Sequence, residues 1–199
     1  HYGNLCTVAS LWSRKLTVIN LLAPDDDAAD GFRFDPELIA TLDLPFAPRE
    51  QIFVKHDANL IVADAFGEYL AIINMRGTKR VEAVHEIGVH NIRGLAINGQ
   101  TGRLLISHQF LNSRAIPRRS DIIWGVMVDN LVLRADLDRL LAGGDAPLKG
   151  SRFLSPGYAG QGAGDPDSLL IDETGRTVIA LAGVNEVSVF EPDGKSFRR

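Results

Sequence analysis

Short runs of alternating apolar and polar residues, separated by turns rich in Asp, Asn and Gly, extend along most of this chain. Such runs predict β-strands, and the turns predict hairpins because Asp, Asn and Gly tolerate a positive φ. Leucines at helical spacing occur at Asp136–Leu141, just before a pair of glycines, and predict one short helix. The acidic stretch Pro24–Arg33 predicts a loop. The pattern as a whole predicts an all-β protein.

A pair of strands recurs four times along the chain. In three copies the second strand starts eight residues after the first strand. In the third copy the offset is 25 residues, because about 17 residues are inserted between the two strands. Self-similarity of this kind is typical of repeat architectures. The two strands of each copy start at Val8 and Leu16, Val62 and Leu70, Ile106 and Leu131, and Ile179 and Val187.

Further strands flank these pairs, so that the repeat has four strands, which we label a, b, c and d. The candidates for strand a are Gln51–Val54, Gly94–Asn98 and Ser168–Ile171, and those for strand d are Arg80–His85 and Arg152–Leu154. A four-stranded unit of about 40–55 residues is typical of a β-propeller blade. We therefore predict a single propeller segment with antiparallel blades over residues 1–44, 45–87, 88–154 and 155–199, in which strand c lies between strands b and d.

A β-sandwich is the alternative fold, since it also has many short strands joined by turns. The recurring order of the strands favours the propeller. The chain begins at His1 within a first blade that lacks strand a, and the pattern predicts that it ends after strand c of the fourth blade. We therefore expect about four blades, two of them incomplete, that are part of a larger ring or are completed by a partner chain, because open blade faces expose apolar surface.

Two stretches, Val62–Asn74 and Val81–His108, resemble the YVTN-repeat β-propellers, also called surface-layer-type or lactonase-like propellers, which are WD40-like. The resemblance extends at repeat level from Thr7 to Glu191, and it implies that the blades belong to a ring of six to eight. A second set of segments is similar to propellers associated with bacterial c-type cytochrome or di-haem peroxidase modules. These segments are His90–Ile97, Ile106–Phe110, Trp124–Gly125, Asp129–Leu131, Gly160–Asp172 and Ile179–Glu191.

The resemblance implies a non-catalytic scaffold that binds a protein or a ligand. It implies a periplasmic or extracellular bacterial protein linked to redox or cell-surface processes. The partners that it implies are a completing propeller segment or a cytochrome. An alternative function is a lactonase-like, metal-dependent hydrolase that acts at the propeller axis, and a third is an electron-transfer accessory whose haem lies in a partner chain.

Composition and charge exclude several other classes of protein. Hydrophobic residues make up 45% of the chain, which argues against global disorder. The net charge of −4 argues against a dedicated nucleic-acid binder. The single cysteine, Cys6, excludes an internal disulfide and covalent c-type haem attachment. No apolar run approaches the ~20 residues of a membrane-spanning helix.

The loops that join strand d to the next strand a, and strand b to strand c, open on the same end of a propeller, which we call the mouth face. Strand a of the third copy brings His90, Asn91 and Arg93 to this face, and the insert brings Arg118 and Trp124. We predict an anion- or carboxylate-binding site there, with Arg93 as the charged anchor and Trp124 as the apolar anchor. The alternative is that His90, Asn91 and Arg93 only cap strand a and bind neighbouring loops.

Acidic residues at the mouth face are candidates for a cation site. Asp165 and Asp167, together with Glu50, offer the oxygen ligands that Ca²⁺ prefers, although Asp165 also fits an Asp-Pro turn. We expect no cofactor, with Ca²⁺ at these three carboxylates as the alternative. The histidines His56, His85 and His108 show no zinc-binding spacing.

Three aromatic residues, Trp12, Phe66 and Phe110, occupy equivalent positions at the end of strand b in successive copies. Repetition of a large apolar residue at one place in a repeat is typical of packing between neighbouring units. The sequence therefore predicts that these side chains pack between blades rather than form a ligand cage.

Overall fold

The computed structural model of the chain describes residues 4–21, 36–54, 58–123, 126–158, 161–192 and 197–198. These residues form four antiparallel sheets, one after another along the chain. In each sheet the strands pair in sequence order, and strand c lies between strands b and d as predicted. This arrangement confirms the predicted all-β propeller fold. The predicted loop Pro24–Arg33, His56 and Trp124 lie outside the described residues.

The first sheet has three strands, β1 (Leu5–Ser10), β2 (Lys15–Leu21) and β3 (Pro36–Asp43). These are strands b, c and d of the repeat. The sequence pattern did not reveal β3, because its apolar residues do not alternate with polar ones along a buried face. Leu38 and Ile39 are adjacent in this strand, and both are exposed.

The second and third sheets each contain all four strands. The second sheet consists of β4 (Pro48–Val54), β5 (Asn59–Asp64), β6 (Tyr69–Asn74) and β7 (Arg80–Glu86). The third consists of β8 (His90–Asn98), β9 (Arg103–Leu111), β10 (Val128–Asp136) and β11 (Arg152–Leu154). Strands β9 and β10 pair over nine residues each, so their hairpin extends beyond the short outer strand β11.

The fourth sheet consists of β12 (Pro166–Ile171), β13 (Thr177–Leu181), β14 (Glu186–Phe190) and β15 (Phe197–Arg198). The two-residue strand β15 pairs with β14 as a strand d. The expectation that the chain ends after strand c is therefore wrong. The sequence did not reveal β15 because two residues are too few to show a period.

Two short helices lie in connections of the third sheet. Helix α2 (Leu137–Leu141) follows β10, and the side chain of Asp136 caps it by accepting a hydrogen bond from the Arg139 backbone N–H. This confirms the predicted short helix. Helix α1 (Arg119–Ile123) lies within the insert between β9 and β10 and was not predicted. No helix in the described part of the chain is long and apolar enough to cross a bilayer.

The hydrophobic core consists of layers between adjacent sheets. In β5, Leu60 and Val62 pack toward the first sheet, whereas Ile61 and Ala63 pack toward the third sheet. A third layer, around Ile179, joins the third and fourth sheets. Because both faces of a central strand are covered, β5 and β6 are almost continuously apolar rather than alternating.

Candidate binding face

The inner strands β4, β8 and β12 each have a shift in pairing register near their first residues. The shifts lie between Pro48 and Gln51, between His90 and Gly94, and between Pro166 and Leu169. Irregularities of this kind turn side chains out of the regular alternation, and they are common beside functional sites. Because the three strands are adjacent, their irregular segments meet at the same end of the sheets.

These segments place a group of charged side chains, which we call the inner charged cluster, formed by Glu50, Arg93, Asp165 and Asp167. Arg93 comes from β8 and reaches across to the fourth sheet, where its Nη2 lies 3.4 Å from Oδ1 of Asp165. Both side chains are about one third exposed. The Nε atom of Arg93 is buried and makes no hydrogen bond within the described residues. The cluster thus combines a partly paired guanidinium with carboxylates from two sheets.

Burial raises the pKa of Glu50 above its ordinary value. The neighbouring cation Arg49 opposes this pKa shift, the carboxylate of Asp167 adds to it, and Arg93 opposes it. Strand β8 packs against both β4 and β12, so Arg93 and Asp167 lie close enough to act on the charge of Glu50. The sequence-predicted residues Glu50, Arg93, Asp165 and Asp167 therefore do form one cluster, with Arg93 among the acids.

The backbones of β8 and β12 approach each other closely beneath this cluster. The hydroxyl of Ser107 donates a hydrogen bond of 2.5 Å to the carbonyl oxygen of Asp167. A Cβ atom at Gly94 would lie 2.9 Å from that same oxygen and 3.1 Å from the backbone nitrogen of Leu169. Glycine at position 94 is therefore required for the third and fourth sheets to pack this closely.

Asn91 and Asp165 occupy corresponding places in two inner strands, and both have positive φ values, 48° and 47°. Asn and Asp adopt this conformation more readily than other non-glycine residues. The amide of Asn91 also donates to Oε1 of Gln109, whose own amide donates to Asn130. The side chain of Asn91 is therefore engaged within the third sheet, as the capping interpretation expects.

His90 lies at the other side of β8 from the inner charged cluster and lines an open groove of 670 Å³. The groove runs between the β5–β6 turn of the second sheet and the extended β9–β10 hairpin of the third sheet. Glu68 and Gly88 line one side of it, and the other side is lined by residues 110–114. The predicted trio is thus divided, with His90 in the groove, Asn91 in the sheet and Arg93 in the charged cluster.

Residues 112–127 of the sequence, which we call the insert, follow β9, and the first three of them line the groove. Arg118 is exposed there, and its backbone N–H donates to the carbonyl oxygen of Ile116. The structure does not describe Trp124, so the predicted apolar anchor stays a prediction. The sequence did not show that Glu68, Phe110 and Arg114 line one groove, since only the pairing of β9 with β10 reveals where they meet.

Trp12 and Phe66 lie on the b–c connections of the first and second sheets, Phe110 lies near the end of β9 in the third sheet, and all three are exposed. Their exposed fractions are 85%, 52% and 37%. Trp12 and Phe66 do contact each other across neighbouring sheets, with ring centroids 6.1 Å apart, but at the surface. Trp12 and Phe66 therefore do pack between neighbouring blades, but at the exposed surface rather than in the core. We call Trp12, Phe66 and Phe110 the aromatic row.

The described residues contain no group of three His, Cys, Asp or Glu side chains arranged to hold a metal ion. Glu50, Asp165 and Asp167 lie in one cluster, but the guanidinium of Arg93 lies among them, 3.4 Å from Asp165. A guanidinium in that place repels a divalent cation. This geometry does not support the Ca²⁺ interpretation of the cluster.

Solved structures share this arrangement of sheets. Hydrazine synthase from Kuenenia stuttgartiensis is similar over 96% of this chain and 62% of its own, with a TM-score of 0.64 and 14% identity. The dihydro-heme d1 dehydrogenase NirN in complex with DHE is similar over 94% of this chain and 32% of its own, with a TM-score of 0.58 and 16% identity. A chain of the nidogen/laminin complex is similar over 96% of this chain and 62% of its own, with a TM-score of 0.55 and 15% identity.

This chain thus spans less than two thirds of the length of these neighbours. No protein-family model matches the sequence, and no curated protein matches it. At such low identity the likeness concerns the fold and not the activity. Together with the four antiparallel sheets, the comparisons identify the fold of this chain as a β-propeller.

Proposed function

We propose that this chain is a non-catalytic β-propeller scaffold that binds a partner protein or ligand on its mouth face. The observation that carries the proposal is the 670 Å³ groove beside the insert, which opens on the same end of the sheets as the inner charged cluster. Rigid sheets hold the loops that form this face, and loops held in this way are where binding residues concentrate.

The chemistry of the face supports binding rather than catalysis. The charged group best placed there, Arg93, is paired with Asp165, and Asn91 is bonded within its own sheet. The lactonase-like alternative needs a metal centre, and the described residues offer no three ligands for one. No observation favours this alternative.

We place the scaffold in an exported bacterial protein linked to redox or cell-surface processes. This part of the proposal rests on the sequence resemblance to propellers associated with c-type cytochromes, because the structural likenesses concern the fold alone. A completing propeller segment or a cytochrome is the partner that the same resemblance suggests. A partner of either kind is a protein, which agrees with the size of the groove and the length of the insert.

Site-specific photocrosslinking tests the use of the mouth face. A photoreactive amino acid replaces Ser113, which lines the groove, in the full-length product expressed in its own host. The matched control replaces Lys149, which is equally exposed but lies in the connection after α2, near the opposite end of the sheets. We expect a discrete crosslinked partner from position 113 and none from position 149.

Crosslinks from position 149 alone, or equal crosslinks from both positions, would show that the mouth face is not the binding surface. Turnover of lactone substrates by the purified chain, dependent on added divalent cation and lost in Glu50→Gln, would instead establish the hydrolase.

A further inference from the structure

Resting on the proposed function, we infer that the mouth face binds an acidic, extended segment of a partner protein. The apolar side chains of that segment contact the aromatic row, and its carboxylates contact arginines of the insert. Exposed apolar residues, uncompensated positive charge and the shape of the groove support this inference independently.

The aromatic row supplies the apolar contacts. Trp12 is 85% exposed and Phe66 is 52% exposed, although both are large apolar side chains in ordered turns. Phe110 continues the row into the groove, and Leu111 beside it is 38% exposed. Exposed apolar residues clustered on one face of a protein mark interaction sites, and aromatic side chains contribute most to binding when they are buried at an interface.

The insert supplies the positive charge. Residues 112–127 contain three arginines, Arg114, Arg118 and Arg119, against one acidic residue, Asp121. All three arginines are exposed, and within the described part of the chain none of them is ion-paired. The chain as a whole has a net charge of −4, so this positive excess is local to the insert. A local charge opposite in sign to that of the partner directs association and sets its orientation.

The groove determines how the segment is oriented. Arg114 lies on the side formed by the β9–β10 hairpin, whereas Glu68 lies on the side formed by the β5–β6 turn. Glu68 repels carboxylates, so the acidic residues of a bound segment lie toward the insert. The apolar residues then face the aromatic row, which lies on the turns of the first and second sheets and at the end of β9 in the third sheet.

A single-stranded nucleic acid is the other polyanion that pairs aromatic stacking with arginine contacts. A nucleic acid carries a phosphate at every nucleotide, whereas an extended peptide can have all its charged side chains on one side. Phe110 is directly opposite Asp129 in the β9–β10 ladder, and Glu68 lies across the groove. A base stacked on Phe110 would bring its phosphates close to these carboxylates. The geometry therefore favours the peptide.

Fluorescence anisotropy with four labelled probes tests the inference on the 199-residue chain. The first probe is a twelve-residue peptide that alternates Glu with Leu or Phe. The second probe has Lys in place of each Glu, the third has Ser in place of each apolar residue, and the fourth is a twelve-nucleotide poly-U RNA. We expect the first probe to bind at least tenfold more tightly than each of the others, and its affinity to fall at high salt.

Paired variants identify the residues involved. Arg118→Glu with Arg119→Glu should weaken binding of the first probe at least tenfold, whereas Arg139→Glu with Arg152→Glu, the same change of charge away from the mouth face, should not. Trp12→Ala should weaken binding of the first probe at least fivefold. Leu38→Ala should not, although Leu38 is also an exposed apolar residue, on β3. Glu68→Gln should tighten binding.

Equal binding of the acidic and basic peptides, preference for RNA, or equal loss in the control variants would overturn the inference. Crosslinking from position 113 with no binding of the acidic peptide would also overturn it, while leaving the proposed function in place. Crosslinking from position 149 alone would overturn both.

Discussion

His108 is a histidine buried between the second and third sheets with no polar partner among the described residues. It is 0% exposed, neither ring nitrogen is hydrogen-bonded, and its ring packs edge-on against Phe153 at 5.7 Å between centroids. Burial lowers its pKa to about 4; the adjacent backbone of Gln109 opposes this pKa shift, and the nearby His90 adds to it. The imidazole is therefore neutral at pH 7, and protonating it is costly.

This pKa shift predicts that stability falls in mild acid. In the unfolded chain His108 takes up a proton near pH 6.5, whereas in the folded chain it does so only near pH 4. The unfolded state thus binds more protons in this interval, and stability falls as the pH falls through it. The shift corresponds to about 3 kcal/mol in the free energy of unfolding.

Urea denaturation of the parent chain and His108→Leu at several pH values measures this effect. Leucine is the matched replacement because Leu181, at the equivalent place in the fourth sheet, is also fully buried. We expect the parent to lose stability relative to the variant between pH 6.5 and pH 4. Parallel stability curves for the two proteins would show that His108 does not titrate in this way.

Gly94 offers a second test at the scale of one residue. A Cβ atom there would contact the backbone of β12, so Gly94→Ala should destabilise the chain by about 1–3 kcal/mol. Gly99→Ala is the matched control, because a Cβ at that position has no neighbour within 4 Å. Thermal and urea unfolding measure the stability of each variant relative to the parent chain. A change at position 94 no larger than that at position 99 would mean that the sheets are not packed this closely.

Helix α2 shows how a short element depends on its cap and on its neighbours. Asp136 accepts a hydrogen bond from the Arg139 backbone N–H and also lies 3.0 Å from Nη1 of Arg103. Leu140 is fully buried, and its carbonyl oxygen lies 3.0 Å from Nε2 of His85 in the second sheet. A five-residue helix is not stable alone in water, so packing against the second sheet maintains it.

The cap of α2 predicts a measurable loss of stability. Asp136→Ala should destabilise the chain by about 1 kcal/mol, because the first turn loses its acceptor. Asp136→Asn keeps the acceptor and loses only the partly exposed ion pair with Arg103, so it should cost much less. Equal losses in the two variants, measured by urea denaturation, would assign the effect to the ion pair instead of the cap.

Across the whole molecule, the first and last sheets have faces that no described sheet covers. Val8 is 43% exposed, whereas Val62, Ile106 and Ile179, at the same place in the other sheets, are 0% exposed. At the other end, Val187 is 50% exposed. The residues that correspond to Val187 in strand c of the first and second sheets, Leu16 and Leu70, are fully buried.

These end faces predict that the 199-residue chain self-associates or binds a completing chain. Sedimentation velocity over a range of concentrations should show association, and Val187→Lys should reduce it. Ile116→Lys, a charge placed at an equally exposed apolar site in the insert, is the control and should not reduce it. A monodisperse monomer at all concentrations would contradict the prediction.

The sequence by itself determined the repeating order of strands b and c, the antiparallel hairpins and helix α2. These depend on local patterns: buried strands need apolar runs, hairpin turns need residues that tolerate positive φ, and a helix needs a cap. The same local patterns could not reveal β3, with its exposed face, or β15, with only two residues.

Only the tertiary structure decided what the side chains of the mouth face do. Four residues share one place in the repeat, and these are Ser10, Asp64, His108 and Leu181. His108 is a buried imidazole without a hydrogen bond, whereas Leu181 is an apolar core residue. Likewise, only the packing of β8 against β12 pairs Arg93 with Asp165. A contact between two sheets depends on both of their surfaces and on the distance between them, and neither is encoded in the local pattern of one strand.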